Sequence, residues 1–315
     1  DSKKELRQLS QLLMQQVYSN LPQGIKTIYI SPDGEINRVP FAAIDGPNQE
    51  DLLAKSFNIR LLTSGRELLQ ENRKDQSSDE KTIIFADPEY SFKLSPTPSL
   101  EMNNPMPISS TRSSDMAVYE WSRLPGTAKE AEQIQAIMGG TVYQSRRATA
   151  QKLKAVTSPR ILHVASHAFY LPSNHNNSED DLSRKEEVSV EVSQIGLKTA
   201  DIIDESPLLR SGIALTGANF PNENPNDDGY LTALEMSQMD LRGTNLVVIS
   251  ACESGRGDVL AGEGVYGLKR AIAIAGAKNS LLSLWKVDDR ATAAFMKLFY
   301  ANIKSNMSPY TALQS

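Results

Sequence analysis

Two short apolar segments, each ending at a chemically reactive side chain, constrain the fold of this chain most. The first, residues 160–169, carries His167, and the second, residues 246–255, carries Cys252. Apolar runs of four to eight residues that are rich in Val, Ile and Leu are typical of strands buried in a parallel sheet. Functional groups gather at the carboxyl ends of such strands. We therefore expect His167 and Cys252 to lie on one rim of the same sheet.

The composition limits the class of protein. With 315 residues and 40% hydrophobic content, the chain can form one large domain or two modest ones with a real core. A net charge of −5 argues against general nucleic-acid binding and gives no reason to expect contact with an anionic membrane. The single cysteine excludes an internal disulfide framework and a multi-thiolate metal site, and it indicates a reducing compartment such as the cytoplasm.

Strands are predicted to alternate with helices along most of the chain. Residues 1–20 predict an amphipathic helix, residues 26–31 and 58–63 predict strands, and residues 71–81 predict a polar linker. Beyond the linker the predicted strands are 82–86, 141–143, 160–165, 212–216, 244–251 and 279–285, and the predicted helices are 127–138 (with Thr127 as N-cap), 149–156, 231–239, 263–275 and 289–304. This alternation predicts an α/β/α sandwich whose mostly parallel sheet is flanked by helices.

Two segments do not fit the alternation. Residues 91–118 are rich in Pro, Ser and Met, and residues 171–208 predict a long exposed loop. The polar part of the second segment, 172–195, begins five residues after His167 (172 − 167). We expect this insert to lie beside the cleft, where it gates access or is processed near Arg184; a neutral surface loop fits the pattern equally well.

A cysteine beside a histidine is a chemically productive pair. A free thiol titrates near pH ~8.5, so only a few per cent is thiolate at neutral pH. A neighbouring imidazole takes the thiol proton, and a positioned acid–base group contributes about 10²–10⁴-fold in rate. Backbone N–H groups of the small turn after Ser250 can also hold an oxyanion. A lone Cys after an apolar strand is often an inert core residue, but the matching strand end at His167 favours a functional role for Cys252.

Neither a metal nor a nucleotide cofactor is expected. His163 and His167 would meet only on a helix, and their segment predicts a strand, so His163 is expected in the core. Residues 262–267 form a G-x-G-x-x-G pattern with Asp288 beyond it. A dinucleotide fingerprint starts directly at the strand end, whereas here residues 252–261 intervene, so the glycines fit a mobile loop and a close helix–sheet contact better.

The same segments resemble the CHAT domain, a caspase-like family related to separases and often attached to tetratricopeptide repeats. The resembling segments are residues 163–167, 250–255, 262–265 and 283–292. Residues 30–44 are similar to the leading half of that family, and residues 85–88 to the first core strand of its catalytic half. The resemblance covers nearly the whole chain.

The resemblance implies a caspase-like fold in two parts and a catalytic dyad. The parts are an N-terminal pseudo-caspase-like half, residues 1–78, and a catalytic half, residues 79–315. His167 would be the general base and Cys252 the nucleophile, with the backbone N–H groups of Cys252 and Ala168 forming the oxyanion hole. The family usually has glycine at the position of Ala168, so a glycine-only backbone conformation would be strained here.

The resemblance also implies an activity and its setting. It suggests a cysteine endopeptidase for limited proteolysis of regulatory protein substrates in bacterial differentiation, cell death or defence. A flanking tetratricopeptide-repeat or other regulatory domain is implied as a partner. The main alternative is a non-catalytic interaction module in which the His and Cys persist as scaffold, and a nucleotide-binding regulator is a third option.

The rim is expected to select a basic residue in the substrate. Asp87 directly follows the predicted strand 82–86, at the strand end that supplies the selecting charge in caspases, and a carboxylate matches a substrate Arg or Lys. A turn-forming role before Pro88 is nearly as consistent with the sequence. Trp285 is expected to pack against the extended substrate. The competing or auxiliary acids are Asp258, Glu263, Asp288 and Asp289.

Overall fold

The structure is a computed structural model of the chain. It describes residues 2–33, 36–37, 39–49, 51–69, 79–93, 120–170, 207–223, 227–250, 261–283 and 289–315. In chain order the elements are α1 (Ser2–Asn20), β1 (Thr27–Ile30), α2 (Leu53–Ser56), β2 (Asn58–Leu61), β3 (Asp79–Pro88), α3 (Pro125–Met138), β4 (Thr141–Ser145), α4 (Ala150–Lys154), β5 (Pro159–Ala165), β6 (Ala168–Tyr170), α5 (Pro207–Arg210), β7 (Ser211–Ala214), β8 (Tyr230–Thr232), α6 (Ala233–Ser237), β9 (Leu246–Ser250), α7 (Ala261–Ala275), β10 (Ser280–Leu282), α8 (Asp289–Lys304) and α9 (Pro309–Gln314). Two 3₁₀ turns, Phe41–Ala43 and Gly65–Leu69, complete the series.

Five parallel strands form the central sheet, in the order β10-β9-β5-β3-β4. Nearly all of β5 and β9 is buried, which is why both segments are almost continuously apolar in the sequence. Helices cover the two faces, with α3 and α8 on one side and α4, α6 and α7 on the other. The predicted α/β sandwich with a mostly parallel sheet is therefore confirmed.

The strand order creates a crevice at the carboxyl end of the sheet. From β3 the chain crosses outward to β4, then returns to the other side of β3 as β5 and continues outward to β9 and β10. The order therefore reverses between β3 and β5, and ligands of open α/β sheets bind at such a switch point. Asp87 lies at the end of β3, and His167 follows the end of β5 by two residues.

A second, antiparallel sheet was not predicted. Strands β6, β7 and β8 pair in that order, so the segment predicted as strand 212–216 lies outside the parallel sheet. The predicted helix 231–239 is likewise divided into β8 and α6, with Thr232 and Glu235 forming a capping box at the helix start. Strands of three residues are too short to show a period in the sequence, which explains the error.

Two local predictions also need correction. Thr127 is not an N-cap, because α3 begins at Pro125 and the hydroxyl of Thr127 instead donates to the Leu124 carbonyl at 2.7 Å. The glycine pattern at 262–267 lies within α7, which begins at Ala261, rather than in a loop. The earlier start of α3 is favoured by Pro125 at its first position, because proline lacks the N–H that a helix leaves unbonded there.

The N-terminal segment has a small core of its own. Met14, Val39, Phe41, Ile44 and Leu53 pack together beside the two-stranded parallel sheet of β1 and β2. Polar contacts join this segment to the C-terminal half through Tyr310, Gln314 and Lys269, which donate to the carbonyls of Phe57, Ala54 and Leu62. The division of the chain at residues 78 and 79 stays a prediction. Among the described helices, none combines the length and apolar character needed to cross a membrane.

The junction between α3 and β4 gives a test of the packing. Gly139 and Gly140 both have positive φ, but only Gly140 lies against β3, where an added Cβ would collide with the Thr82 carbonyl. Gly139→Ala should cost about 1–3 kcal/mol of unfolding free energy through backbone strain. Gly140→Ala should cost about 1–3 kcal/mol more through overpacking. Urea denaturation of both variants measures the difference, and equal losses would contradict the close approach of the two segments.

Candidate active site

His167 lies in the short link between β5 and β6, at the crevice in the central sheet. Its side chain is fully buried. The strand that leads to it is held in register on both sides, because Ala165 pairs with Ala86 of β3 and with Ser250 of β9. The backbone that leads to the imidazole is therefore held between two strands of the central sheet.

A backbone carbonyl fixes the tautomer of this imidazole. Nε2 of His167 lies 2.7 Å from the carbonyl oxygen of Ser122. A carbonyl only accepts hydrogen bonds, so Nε2 carries the proton and donates it. In the neutral ring the lone pair then belongs to Nδ1, which is the nitrogen able to accept a proton from another group.

Two aromatic rings flank the imidazole. The rings of Tyr90 and Trp121 have their centroids 5.1 and 5.3 Å from that of His167, at interplanar angles of 43° and 35°. Phe169 and Tyr230 extend the same buried cluster. These contacts leave the histidine ring little freedom to rotate, because bulky rings pack closely beside it in the interior.

A buried chain of hydrogen bonds holds the histidine backbone. The Ser166 hydroxyl donates to the Ala214 carbonyl, so the Tyr90 hydroxyl, 2.8 Å from Ser166 Oγ, must donate to that oxygen. The Tyr90 oxygen in turn accepts the backbone N–H of His167 at 3.4 Å. Burial raises the pKa of Tyr90 well above its ordinary value, so the phenol stays protonated and keeps its donor role.

The segment 121–123 that supplies the carbonyl is anchored at its first residue. The backbone N–H of Trp121 donates to Asn219 Oδ1 at 2.7 Å, and Asn219 Nδ2 donates back to the Trp121 carbonyl at 3.0 Å. The indole Nε1–H donates to the Tyr230 hydroxyl at 2.9 Å. The Asn219 side chain thus bonds both the N–H and the carbonyl of Trp121, as a neighbouring strand would. Together with the bond to Tyr230, this fixes the segment on β8 and the loop before it.

At its last residue the same segment is anchored to Asp87. Arg123 donates to the Asp87 carboxylate through two nitrogens, Nε at 2.9 Å and Nη2 at 2.6 Å. The guanidinium side chain is 67% exposed, whereas that of Asp87 is only 4% exposed. Asp87 has a left-handed backbone, φ 46°, and its N–H donates to the Thr127 hydroxyl at 2.9 Å. The carboxylate raises the pKa of Arg123 above its ordinary value.

Ala168 adopts an ordinary strand conformation. Among the described residues that have positive φ, five are not glycine, and Ala168 is not one of them, so the expected strain is absent. The Ala214 N–H donates to the His167 carbonyl, and bonded pairs alternate along an antiparallel ladder. The N–H of Ala168 therefore points away from β7 and lies outside the ladder.

Several predicted site residues lie outside the part of the chain that the structure describes. They are Cys252, Asp258, Trp285 and Asp288. Glu263 and Asp289 lie in α7 and α8, and their side chains are likewise not described. The predicted insert 171–208 is described only at Pro207 and Leu208, which begin α5. The roles proposed for these residues stay predictions.

His163 and His167 lie in different surroundings. His163 is fully buried, its Nδ1 lies 3.0 Å from the Tyr300 hydroxyl, and its Nε2 lies 3.1 Å from Glu130 Oε1, on the face covered by α3 and α8. The last pair has the distance of an ion pair but not the geometry of a hydrogen bond. His163 is thus a core residue, as the sequence indicated. Within the described ranges, no group of three or more His, Cys, Asp and Glu residues could hold a metal ion.

Sequence reasoning missed the residues that hold His167 in place. The Ser122 carbonyl is a backbone group and has no sequence signature. Trp121 and Arg123 follow the segment 91–118, which has no periodic pattern, and Tyr90 lies in the turn after β3. The only available signal was the aromatic character of Trp121, one of 2 tryptophans in the chain.

Comparisons with known proteins agree with this architecture. The family model described as "CHAT domain" matches residues 3–315. Tetratricopeptide repeat protein 28 of Homo sapiens is 24% identical over 289 residues, covering 89% of this chain and 10% of that protein. The Mus musculus protein of the same name is 24% identical over 297 residues, covering 89% of this chain and 11% of that protein. The chain thus spans about a tenth of the length of the curated relatives it matches.

The buried hydrogen-bond chain gives a testable consequence. Tyr90→Phe removes the oxygen that accepts from His167 N–H and the proton that reaches Ser166, leaving buried polar groups unsatisfied. We expect a loss of about 1–3 kcal/mol in unfolding free energy. Tyr310→Phe, which removes a half-buried hydroxyl bonded to the Phe57 carbonyl, should cost less than about 1 kcal/mol. Chemical denaturation compares the two variants. A Tyr90→Phe protein as stable as the parent would contradict a stabilising role for this hydrogen-bond network.

Proposed function

The chain belongs to the CHAT domain family, and on that premise we propose that it is a cysteine endopeptidase in which His167 is the general base and Cys252 the nucleophile. The observation that supports this most is the state of His167. The Ser122 carbonyl holds its Nε2–H at 2.7 Å, which assigns the lone pair of the neutral ring to Nδ1. A buried histidine prepared in this way is what a base for a thiol requires.

The register of the sheet supports the pairing with Cys252. Ala165 and Ser250 are partners in adjacent parallel strands, and such strands run about 4.8 Å apart. His167 and Cys252 each follow their strand partner by two residues. Two extended residues span about 7 Å at most, so this register is compatible with a contact between His167 and Cys252, which itself lies outside the described residues.

The proposed reaction uses these groups in two steps. Nδ1 of His167 takes the thiol proton of Cys252, and the sulfur attacks the carbonyl carbon of the substrate's peptide bond. The backbone N–H groups of Ala168 and Cys252 stabilise the oxyanion. The C–N bond then breaks as the imidazolium gives its proton to the leaving amine. Water, deprotonated by His167, hydrolyses the thioester and releases the acid product.

We also propose that the enzyme prefers a basic residue, above all Arg, before the cut bond. Asp87 lies beside the crevice, but Arg123 occupies its carboxylate through two hydrogen bonds. A substrate guanidinium would compete with Arg123 for this carboxylate and exchange with it. The preference therefore depends on such an exchange or on the remaining rim acids, which are Asp258, Glu263, Asp288 and Asp289.

The setting proposed for this activity is regulated proteolysis in a reducing compartment such as the cytoplasm. A nucleophilic thiolate is easily oxidised, and reducing surroundings preserve it. The curated relatives are named for tetratricopeptide repeats, and this chain matches about a tenth of their length. We therefore propose a repeat-containing regulatory domain as partner. The proposed substrates are regulatory proteins, as in bacterial differentiation. The insert 171–208 is proposed to gate the cleft or to be processed.

A non-catalytic interaction module is the second candidate. It is favoured by one observation, since His167 is fully buried and held by Tyr90, Trp121 and Ser122, as a structural residue would be. Reactivity of the cysteine separates the candidates. A catalytic pair requires that Cys252 react with a peptidyl electrophile and that this reaction be lost in His167→Ala.

The central prediction concerns the dyad. Cys252→Ala and His167→Ala should each abolish peptide cleavage, and the double variant should be no worse than either, because the two residues act as a unit. His175→Ala, in the predicted insert, serves as the matched control and should retain turnover. Cleavage of a fluorogenic peptide library is the measurement, with thermal unfolding to verify the fold. Substantial turnover by Cys252→Ala would refute the peptidase proposal.

The preference for basic residues is tested separately. Peptides that differ only in Arg, Lys or Leu before the cut bond should be cleaved with kcat/KM in the order Arg, Lys, Leu, because a planar fork matches a carboxylate best. Each 1.4 kcal/mol by which the ion pair favours the Arg peptide over the Leu peptide corresponds to about a tenfold difference in kcat/KM. Equal kcat/KM for Arg and Leu peptides would instead indicate an apolar pocket.

A further inference from the structure

We propose that Arg123 is a positioning residue for His167, and that its ion pair with Asp87 fixes the peptide group that orients the imidazole. This inference rests on the proposed function, since positioning matters for a base. It assigns to Asp87 a role different from direct substrate recognition. Neither side chain contacts His167 in the described hydrogen bonds; both act through the Ser122 carbonyl.

The coupling follows from the covalent structure. The carbonyl of Ser122 and the N–H of Arg123 belong to one planar peptide group. Any rotation of the backbone at Arg123 therefore turns the carbonyl oxygen that accepts from His167 Nε2 at 2.7 Å. Ser122 itself is exposed, so the orientation of this peptide has to come from the residues on either side.

Those two residues are held by different kinds of contact. Trp121 is clasped by Asn219 and by Tyr230 on the antiparallel sheet. Arg123 is held by Asp87 at the end of β3 in the central sheet. The peptide that contains the Ser122 carbonyl is thus held from the antiparallel sheet through Trp121 and from the central sheet through the Arg123–Asp87 ion pair.

Asp87 is built as a fixed anchor. Its carboxylate is 4% exposed, its backbone adopts a left-handed conformation, and its N–H is bonded to Thr127. A buried carboxylate requires a partner, because an uncompensated charge in the interior is costly. Strained backbone conformations persist where surrounding structure enforces them, and they cluster at functional sites. The bidentate geometry restricts Arg123 in both distance and angle.

Neutralisation of the arginine also matters for the chemistry. His167 becomes an imidazolium when it takes a proton, and a nearby unpaired cation would oppose that charge. Arg123 is paired with Asp87, so the two charges largely cancel. The pair can therefore hold the Ser122 carbonyl without disfavouring the protonated ring.

The chain offers a matched control for this pair. Arg146 donates to Glu89 at 3.0 Å, and its side chain is 65% exposed, close to the 67% of Arg123. The Arg146 pair also lies where strands β3 and β4 end, but residues 145–147 provide no contact to His167. The acids differ, since the Asp87 side chain is 4% exposed and that of Glu89 is 39% exposed, so Arg123→Ala also leaves a buried carboxylate unpaired. Thermal unfolding of each variant therefore accompanies the kinetics, and a difference in kcat between folded variants reports on His167.

The kinetic experiment compares Arg123→Ala, Arg123→Lys and Arg146→Ala with the parent enzyme on an Arg peptide. Misplacing a catalytic group by about 1 Å costs about 10²-fold in rate. We expect Arg123→Ala to lower kcat by about 10–100-fold with KM changed less than about twofold. Arg123→Lys, which keeps the charge but not the fork, should recover part of kcat, and Arg146→Ala should match the parent. The kcat–pH profile should shift only in the Arg123 variants.

Two kinetic outcomes would overturn the inference. If Arg123→Ala has the kcat and pH profile of the parent, the ion pair does not position the base. If Arg123→Ala instead cleaves Arg peptides faster and with a lower KM, Arg123 is an internal occupant of an acidic substrate subsite. Should Arg123→Ala fail to fold, Arg123→Lys decides between these outcomes by the same measurements.

A spectroscopic readout makes the inference independent of peptidase activity. The chain has 3 histidines, so ¹⁵N NMR of the imidazoles can be assigned with His167→Ala. The parent should show His167 with its proton on Nε2, and Arg123→Ala should show a mixture of tautomers, whereas Arg146→Ala should not. If the parent cleaves no peptide yet this shift appears, the peptidase proposal fails and the positioning role stands. An unchanged tautomer in Arg123→Ala overturns the positioning role alone.

Discussion

The pairing of β5 with β3 on one side and β9 on the other is the interaction on which the rest of the structure depends. Because β5 is buried on both faces, a slip of register would exchange the apolar residues of its two faces and break the ladder. The register aligns Ala86, Ala165 and Ser250 at one level of the sheet. Asp87 and His167, which follow Ala86 and Ala165 by one and two residues, are thereby placed at the same rim.

Burial of His167 imposes a second requirement, that every polar group around it be satisfied. The ring nitrogen Nε2, the backbone N–H of His167 and the hydroxyls of Tyr90 and Ser166 all have partners within a few ångströms. A low-dielectric environment strengthens such bonds and makes an unsatisfied group costly. The same network that stabilises the fold therefore selects one tautomer of the imidazole, which links stability directly to the proposed chemistry.

Asp87 connects specificity to positioning. Its carboxylate is 4% exposed and already accepts from Arg123 through both oxygens, so a substrate arginine would compete with Arg123 for it. In the described conformation Arg123 is the occupant, which explains why a buried acid on the rim is compatible with a stable fold. If Arg123 positions His167 as proposed, exchange at Asp87 would release the Ser122 peptide, so selectivity for basic residues would come from the other acids on the rim.

The sequence by itself determined the central sheet, its flanking helices and the strand end occupied by His167, because long apolar runs and small turn residues carry these features locally. It did not determine the antiparallel sheet of β6, β7 and β8, whose three- and four-residue strands are too short to show a period. It also could not reveal the Ser122 carbonyl or the pairing of Arg123 with Asp87. A backbone acceptor has no residue type, and the two charged residues are 36 positions apart. Only the tertiary structure brings them together, since their contact depends on how α3 and the segment before it return across the end of β3.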